Sequence, residues 1–323
     1  MTMNNEIHTL AAAALKGLAA NPRYARSFRE SDALRQLLHA PASRYIVAGE
    51  AGTAIDRMRM LAAKGYEIGL EYVGENVTDP DEVTRIESQY RQLIDRLPQG
   101  GLGRRTELNF DLSNVGLLIS RDLAEEVTGR IVAAAAKQGV FVTLSMERFS
   151  MVDDILAVFH RLSASHANIG ITLQAYLHRT PEDLDAVTRS GHKVRLVKGV
   201  YAEIPERALP RSPALDDRYL ELAARLTEAG VDRSFATQDP ALIERLMRNG
   251  LLGDGGEIEM LHGVQPTRLR DLRRDGVTCR VYGTFGDNWY LHFLHRLAEA
   301  PETVLQALAD IQDPARVVFG ADY

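Results

Sequence analysis

YEIGLEYVGENVTDP, residues 66–80, decides the fold. Its first eight residues are a β-rich run, and its Asp-Pro end opens a helical pattern, so the stretch reads strand, loop, helix. A doubly wound nucleotide fold would be marked by G-x-G-x-x-G directly after such a first strand. This chain has GENVTDP there instead. Outward from this stretch the alternation repeats. TELNFDLS (106–113), VFVTLSM (140–146), IGITLQAYL (169–177), KVRLVKGVY (193–201), RSFATQ (233–238), EIEML (257–261) and TCRVYGTFG (278–286) are further β-rich runs. Each leads into a polar, helix-periodic stretch of ~15–25 residues, several capped by Asp, Ser or Thr and several closed by Gly. Eight strands each followed by a helix predict an α/β chain folded as a (β/α)8 TIM barrel. Residues 1–60 are expected to add N-terminal helices packed on the barrel, and residues 61–323 to form it. No linker or repeat marks a further domain.

Composition narrows the function classes. The net charge is −6, with both signs spread along the chain and no basic patch, which argues against nucleic acid as partner. The single cysteine, Cys279, excludes an intramolecular disulfide and a Cys-rich metal site. The start MTMNNEIHTLAAAALKGLAAN lacks the basic segment of a secretory signal, and no run reaches the ~18 apolar residues of a membrane span. A cytoplasmic protein without a transmembrane segment is expected.

Barrel enzymes build their sites at the carboxyl ends of the strands. That rule selects Glu71 and Glu75; Asp111, Ser113 and Asn114; Ser145, Met146 and Glu147; Gln174 and Tyr176; Arg195, Lys198 and Tyr201; Thr237, Gln238 and Asp239; Glu259 and His262; and Tyr282. The helix after the eighth strand adds His292, His295, Arg296 and Glu299, three or four apart and so expected on one face. Arg296 and Glu299 also read as a simple surface ion pair. His292 and His295 lack the carboxylates that would complete a metal site, so no metal is expected. Arg195 and Lys198 are harder to explain structurally, because an uncompensated charge in a barrel interior costs several kcal/mol. Two chemistries remain open: a Schiff base on Lys198, or a large phosphate-bearing cofactor held by Arg195, Lys198, Gln174 and Thr237.

QAYLHRTPEDL (174–184), VRLVKGVY (194–201), FATQDPALI (235–243), MLHGV (260–264) and RVYGTFGDNWYLHFLHRLAE (280–299) follow in the order and spacing of the proline dehydrogenase family, which YVGENVTDPDEV (72–83) also resembles. The resemblance runs from about residue 40 to 300. It implies a (β/α)8 barrel that binds FAD noncovalently and oxidises a C–N bond by passing hydride to flavin N5. It also implies that Met146, Gln174, Arg195, Lys198, Gly199, Val200 and Thr237 contact the cofactor. Gln238 stands where the family usually has His. Arg195 would lie near flavin N5, with Lys198 and Gly199 on the phosphate side.

The substrate positions depart from the family. Its SVKLTQLGL is matched here by NFDLSNVGL (109–117), with Asp111 in place of the substrate-contacting lysine. Its catalytic Asp in DME is Ser145 in SME, and its paired carboxylate-clamping arginines are His295 and Arg296. Tyr201, Tyr282, Arg296 and Glu299 match. Together the changes make the pocket about two charge units more negative. The expectation is an FAD-dependent oxidoreductase for a nitrogen-containing small molecule other than L-proline (an amine, hydrazine or modified amino acid). Its electron acceptor is unknown. Asp111 or His295 would serve as base and Arg195 as the cation beside the ring. Ordinary L-proline dehydrogenation and a non-catalytic flavin- or ligand-binding homologue are the alternatives.

Overall fold

The structure, a computed structural model, describes residues 2–19, 21–74, 76–102 and 106–323; Glu75 lies outside them. Helices α1 (Thr2–Ala19), α2 (Pro22–Glu30) and α3 (Asp32–Ala42) come first, then β1 (Ile46–Ala48) and α4 (Ala51–Ala63). Eight strand–helix units follow: β2 (Glu67–Tyr72) with α5 (Pro80–Arg96), β3 (Thr106–Phe110) with α6 (Arg121–Lys137), β4 (Phe141–Leu144) with α7 (Val152–Ser163), and β5 (Ile169–Gln174) with α8 (Thr180–Thr188). Then come β6 (Val194–Val197) with α9 (Pro213–Glu228), β7 (Arg233–Ala236) with α10 (Pro240–Arg248), β8 (Gly256–Leu261) with α11 (Pro266–Arg274), and β9 (Cys279–Phe285) with α12 (Trp289–Glu299). The last long helix is α13 (Thr303–Gln312).

Strands β2 to β9 are parallel and close on themselves, with Glu67 opposite Arg280 and Tyr72 opposite Phe285 at the seam. This is a (β/α)8 barrel. The short β1 escaped the sequence reading; it pairs at Ile46 with Thr284 of β9. Three residues are too few to show a period. α4 packs against β1, β2 and β9, so the helix beside the seam precedes the barrel in sequence. α12 packs instead against α1, α2, α3 and β1. Among the described residues no helix is long and apolar enough to cross a membrane.

Side chains alternate across each strand. One set, including Ile68, Leu70, Leu108, Phe110, Val142, Leu144, Ile171, Phe235 and Val281, is buried in the apolar core shared with the helices. The other set is polar and meets at the barrel axis. Its lower layer is a closed ionic network: Lys193 Nζ donates to Glu107 Oε2 at 2.6 Å and to Glu257 Oε1 at 2.7 Å. Arg280 donates to Glu257 Oε1 at 2.7 Å and to the Ile68 carbonyl at 2.6 Å. Ser234 Oγ also donates to Glu257. Two cations face two carboxylates, so burial leaves no net charge in this layer.

Removing one member should expose that balance. Lys193→Met is expected to lower unfolding free energy by about 3–5 kcal/mol, the usual cost of leaving a buried charge unpaired. Urea denaturation of the variant and the parent measures it.

Candidate active site

Above the ionic layer the barrel opens into a cavity of about 670 Å³. β2 contributes Glu71, and the residues just beyond β3 and β4 contribute Asp111, Ser145 and Met146. β5 supplies Thr172 and Gln174, and β6 with its following loop supplies Arg195, Lys198, Gly199, Val200 and Tyr201. Thr237 and Gln238 follow β7, Glu259 stands on β8 and Tyr282 on β9, while α12 adds His292, Arg296 and Glu299. The barrel brings most of these groups together by their place on the strands or just past the strands' carboxyl ends, and α12 adds the rest.

Of the residues that the sequence assigned to cofactor, substrate or catalysis, His295 alone does not line the cavity. It is exposed, on the side toward Lys16 of α1. A helix turns about 100° per residue, so Arg296 falls about 40° to one side of His292, while Glu299 and His295 fall about 20° and 60° to the other, His295 farthest out. His292 is the histidine that faces the cavity. Burial holds its imidazole well below the usual histidine range, and Arg296 adds to the effect.

Carboxylates dominate the wall built by β2 to β4. Burial pushes Glu71 up to about 8, with the nearby Asp111 charge adding to the rise. Tyr282 Oη donates a hydrogen bond to Glu71 Oε2, which opposes it. Asp111 is pushed up to about 6 by burial, against the pull of a Ser145 hydrogen bond and of Arg195. Glu147, just behind the cavity, accepts the Ser113 amide at 2.9 Å and is raised to about 7 by burial and by Asp111. Opposite them, Arg195 Nε donates to Glu259 Oε1 at 2.5 Å, and its guanidinium lies 4.6 Å from the Tyr282 ring centre. Burial lowers Arg296, which donates to Glu299 Oε1 at 2.6 Å while its Nε is buried without a partner among the described residues.

The Lys198 charge is compensated within the protein: its Nζ lies 2.5 Å from Asp216 Oδ1 and 2.8 Å from Asp239 Oδ2. Asp239 also caps α10 through Oδ1, accepting the Ala241 and Leu242 amides. Gly199 adopts φ +111°, and a Cβ there would come within 2.2 Å of the Tyr176 ring. Gln174 Nε2 donates to the Glu147 carbonyl at 2.8 Å, which leaves its Oε1 uncommitted among the described residues.

Glu71, Glu259 and His292 stood among the strand-end and helix candidates without an assigned role. Arg211 was missed altogether. It reaches the cavity from the irregular stretch before α9 and donates to the Gly199 carbonyl at 2.6 Å. Nothing in that stretch carries a period or a motif to mark it.

The family model described as proline dehydrogenase matches residues 54–299. Proline dehydrogenase 1 of Bacillus subtilis (strain 168) is 26% identical over 274 residues, which cover 84% of this chain and 90% of that protein. Proline dehydrogenase of Deinococcus radiodurans is 29% identical over 276 residues, covering 83% of this chain and 88% of that protein. Among solved structures, proline utilization A (PutA) from Bdellovibrio bacteriovorus inactivated by N-propargylglycine aligns with a TM-score of 0.78 at 18% identity. The alignment covers 97% of this chain and 39% of that one, so this chain spans about two fifths of the larger protein, and the likeness is one of fold.

The crowded carboxyls make a prediction about pH. The folded protein holds these protons more tightly than the unfolded chain does, so their contribution to stability is full below about pH 4 and is lost as pH rises through 6 to 8. Asp111→Asn removes the central charge. It is expected to stabilise the ligand-free protein at pH 8 by about 1–3 kcal/mol, with a smaller gain at pH 5. Urea titrations at the two pH values check the sign and its pH dependence.

Proposed function

The chain belongs to the proline dehydrogenase family, and on that premise we propose that it is a flavin-dependent oxidoreductase whose substrate is a cationic nitrogen compound other than L-proline. The observation that carries the substrate reading is Asp111, buried beside Glu71 and Glu147 in the cavity wall where the family pattern has a lysine. An amine or hydrazine entering as a cation would favour the ionised form of carboxyls whose burial otherwise favours the protonated one.

The donor set suits FAD. The cavity lies within the ~300–1,000 Å³ of small-molecule and cofactor sites. Gln174, Thr237 and Gln238 offer neutral hydrogen-bonding groups for ring and ribityl edges. Arg195, Lys198 and Arg211 are the cations for a reduced ring and for phosphates, Lys198 by exchanging one of its two aspartates for the ligand. The buried hydroxyls of Thr172 and Thr284 line the same cavity without partners among the described residues. When bound, the flavin supplies the two-electron oxidation by accepting a hydride from the carbon or nitrogen beside the substrate's basic nitrogen.

Removing hydride from that position requires a neutral amine. Asp111, at about 6, is mostly ionised at neutral pH yet basic enough to take the ammonium proton, near the optimum for a general base. His295 points away from the cavity, which favours Asp111 over it. Ser145 orients the Asp111 carboxylate by hydrogen bonding. Arg296, with its unpartnered Nε, is left to hold one substrate carboxylate or carbonyl oxygen. Tyr201 and Tyr282 flank the substrate with apolar faces. The retained Arg296, Tyr201 and Tyr282 also support a second reading, ordinary L-proline oxidation.

Anaerobic titration of the flavin-loaded protein separates these readings. Its yellow absorbance is expected to bleach with a member of a panel of amines and hydrazines and to persist with L-proline. Asp111→Asn should slow the bleaching by about 10²–10⁴-fold, the range of general acid–base contributions. Bleaching by L-proline would establish the second reading. Absorbance unchanged by every compound would mark a non-catalytic flavin protein, and a protein left colourless by added FAD would overturn the cofactor assignment.

A further inference from the structure

We propose that Glu259 is a positioning residue that holds Arg195 in the cavity and offsets its charge there, so that the ion pair, not the arginine alone, sets the reduction potential of the bound flavin. The proposal rests on the flavin reading above. β6 and β8, which carry Arg195 and Glu259, are separated by β7. At the level of Glu259 the intervening strand presents Ala236, whose small side chain lines the cavity and lets the guanidinium cross. Arg195 meets only one oxygen of the carboxylate. Glu259 Oε2 is buried with no hydrogen-bond partner among the described residues, although Glu259 lines the cavity.

The remaining cations do not quench that oxygen with a hydrogen bond. Lys193 and Arg280 are committed to Glu107 and Glu257 in the layer below. A ring seated against Arg195 therefore feels a positive and a negative charge within hydrogen-bond distance of each other, in a site too dry to screen either. Arg195 by itself would favour an anionic reduced ring and raise the potential. Glu259 cancels much of that effect, leaving a flavin that is harder to reduce and demands a more strongly reducing substrate.

The test is the flavin midpoint potential, measured by dye equilibration in the loaded protein. Glu259→Gln keeps the shape and the hydrogen bond but removes the charge. It is expected to shift the reduction equilibrium at least tenfold toward the reduced form, about 30 mV upward for a two-electron couple. Glu259→Asp, which keeps the charge, should stay within threefold of the parent. Arg195→Gln with Glu259→Gln removes both charges, leaves none unpaired if the single variant does not fold, and should also stay within threefold. A Glu259→Gln potential within twofold of the parent, or a double variant more than tenfold lower, would overturn the proposal. Parent protein that takes up no flavin would overturn the underlying reading instead, and that failure is recognisable because there is then no potential to measure.

Discussion

Charge inside a closed barrel must be paired, and the pairing of Lys193 and Arg280 with Glu107 and Glu257 is what permits a polar axis here. A barrel interior is more usually filled by branched apolar side chains. In this chain the period of two sends the apolar residues outward against the helices and the polar ones inward. Such an arrangement is stable only if each buried ion finds a partner with good geometry, since the desolvation of a lone ion costs several kcal/mol. The lower layer meets that condition with two ions of each sign. It forms the floor of the upper layer while contributing no net charge of its own.

The upper layer is different in kind. Glu71, Asp111 and Glu147 crowd one side, Arg195 is already taken by Glu259, and Arg296 is taken in part by Glu299. Burial raises the three carboxyls to about 8, 6 and 7, and the Asp111 charge adds to the rise at Glu71 and Glu147. Perturbed groups in a concave site are where binding and proton transfer are expected. The proposed cationic substrate would supply the charge that this wall lacks.

How much of this the sequence disclosed depends on how each residue is positioned. The eight barrel strands were legible because each is a β-rich run ending in turn chemistry. The strand-end rule also picked out Asp111, Ser145, Gln174, Arg195, Thr237 and Tyr282, which line the cavity. β1 was invisible because three residues set no pattern. His295 was misplaced because i, i+3 spacing defines a face only to within a third of a turn, and the flank it occupies faces Lys16 rather than the cavity. The double aspartate grip on Lys198 could not be read, since Asp216 and Asp239 come from different helices. Arg211 lies in a stretch without regular structure, where sequence offers no geometry to reason from.

The substitutions at the cavity make physical sense only as a set. Placing an aspartate where the family pattern has a lysine, next to Glu71 and Glu147, would by itself charge the wall heavily. Ser145, in place of a family aspartate, removes one carboxylate from that crowd and donates a hydrogen bond to Asp111. With His295 turned outward, Arg296 is the one α12 cation left facing the cavity. On the proposed reading, the clamp for a carboxylate is weakened on one side and the recognition of a cation strengthened on the other, so that the site holds a substrate by its positive end.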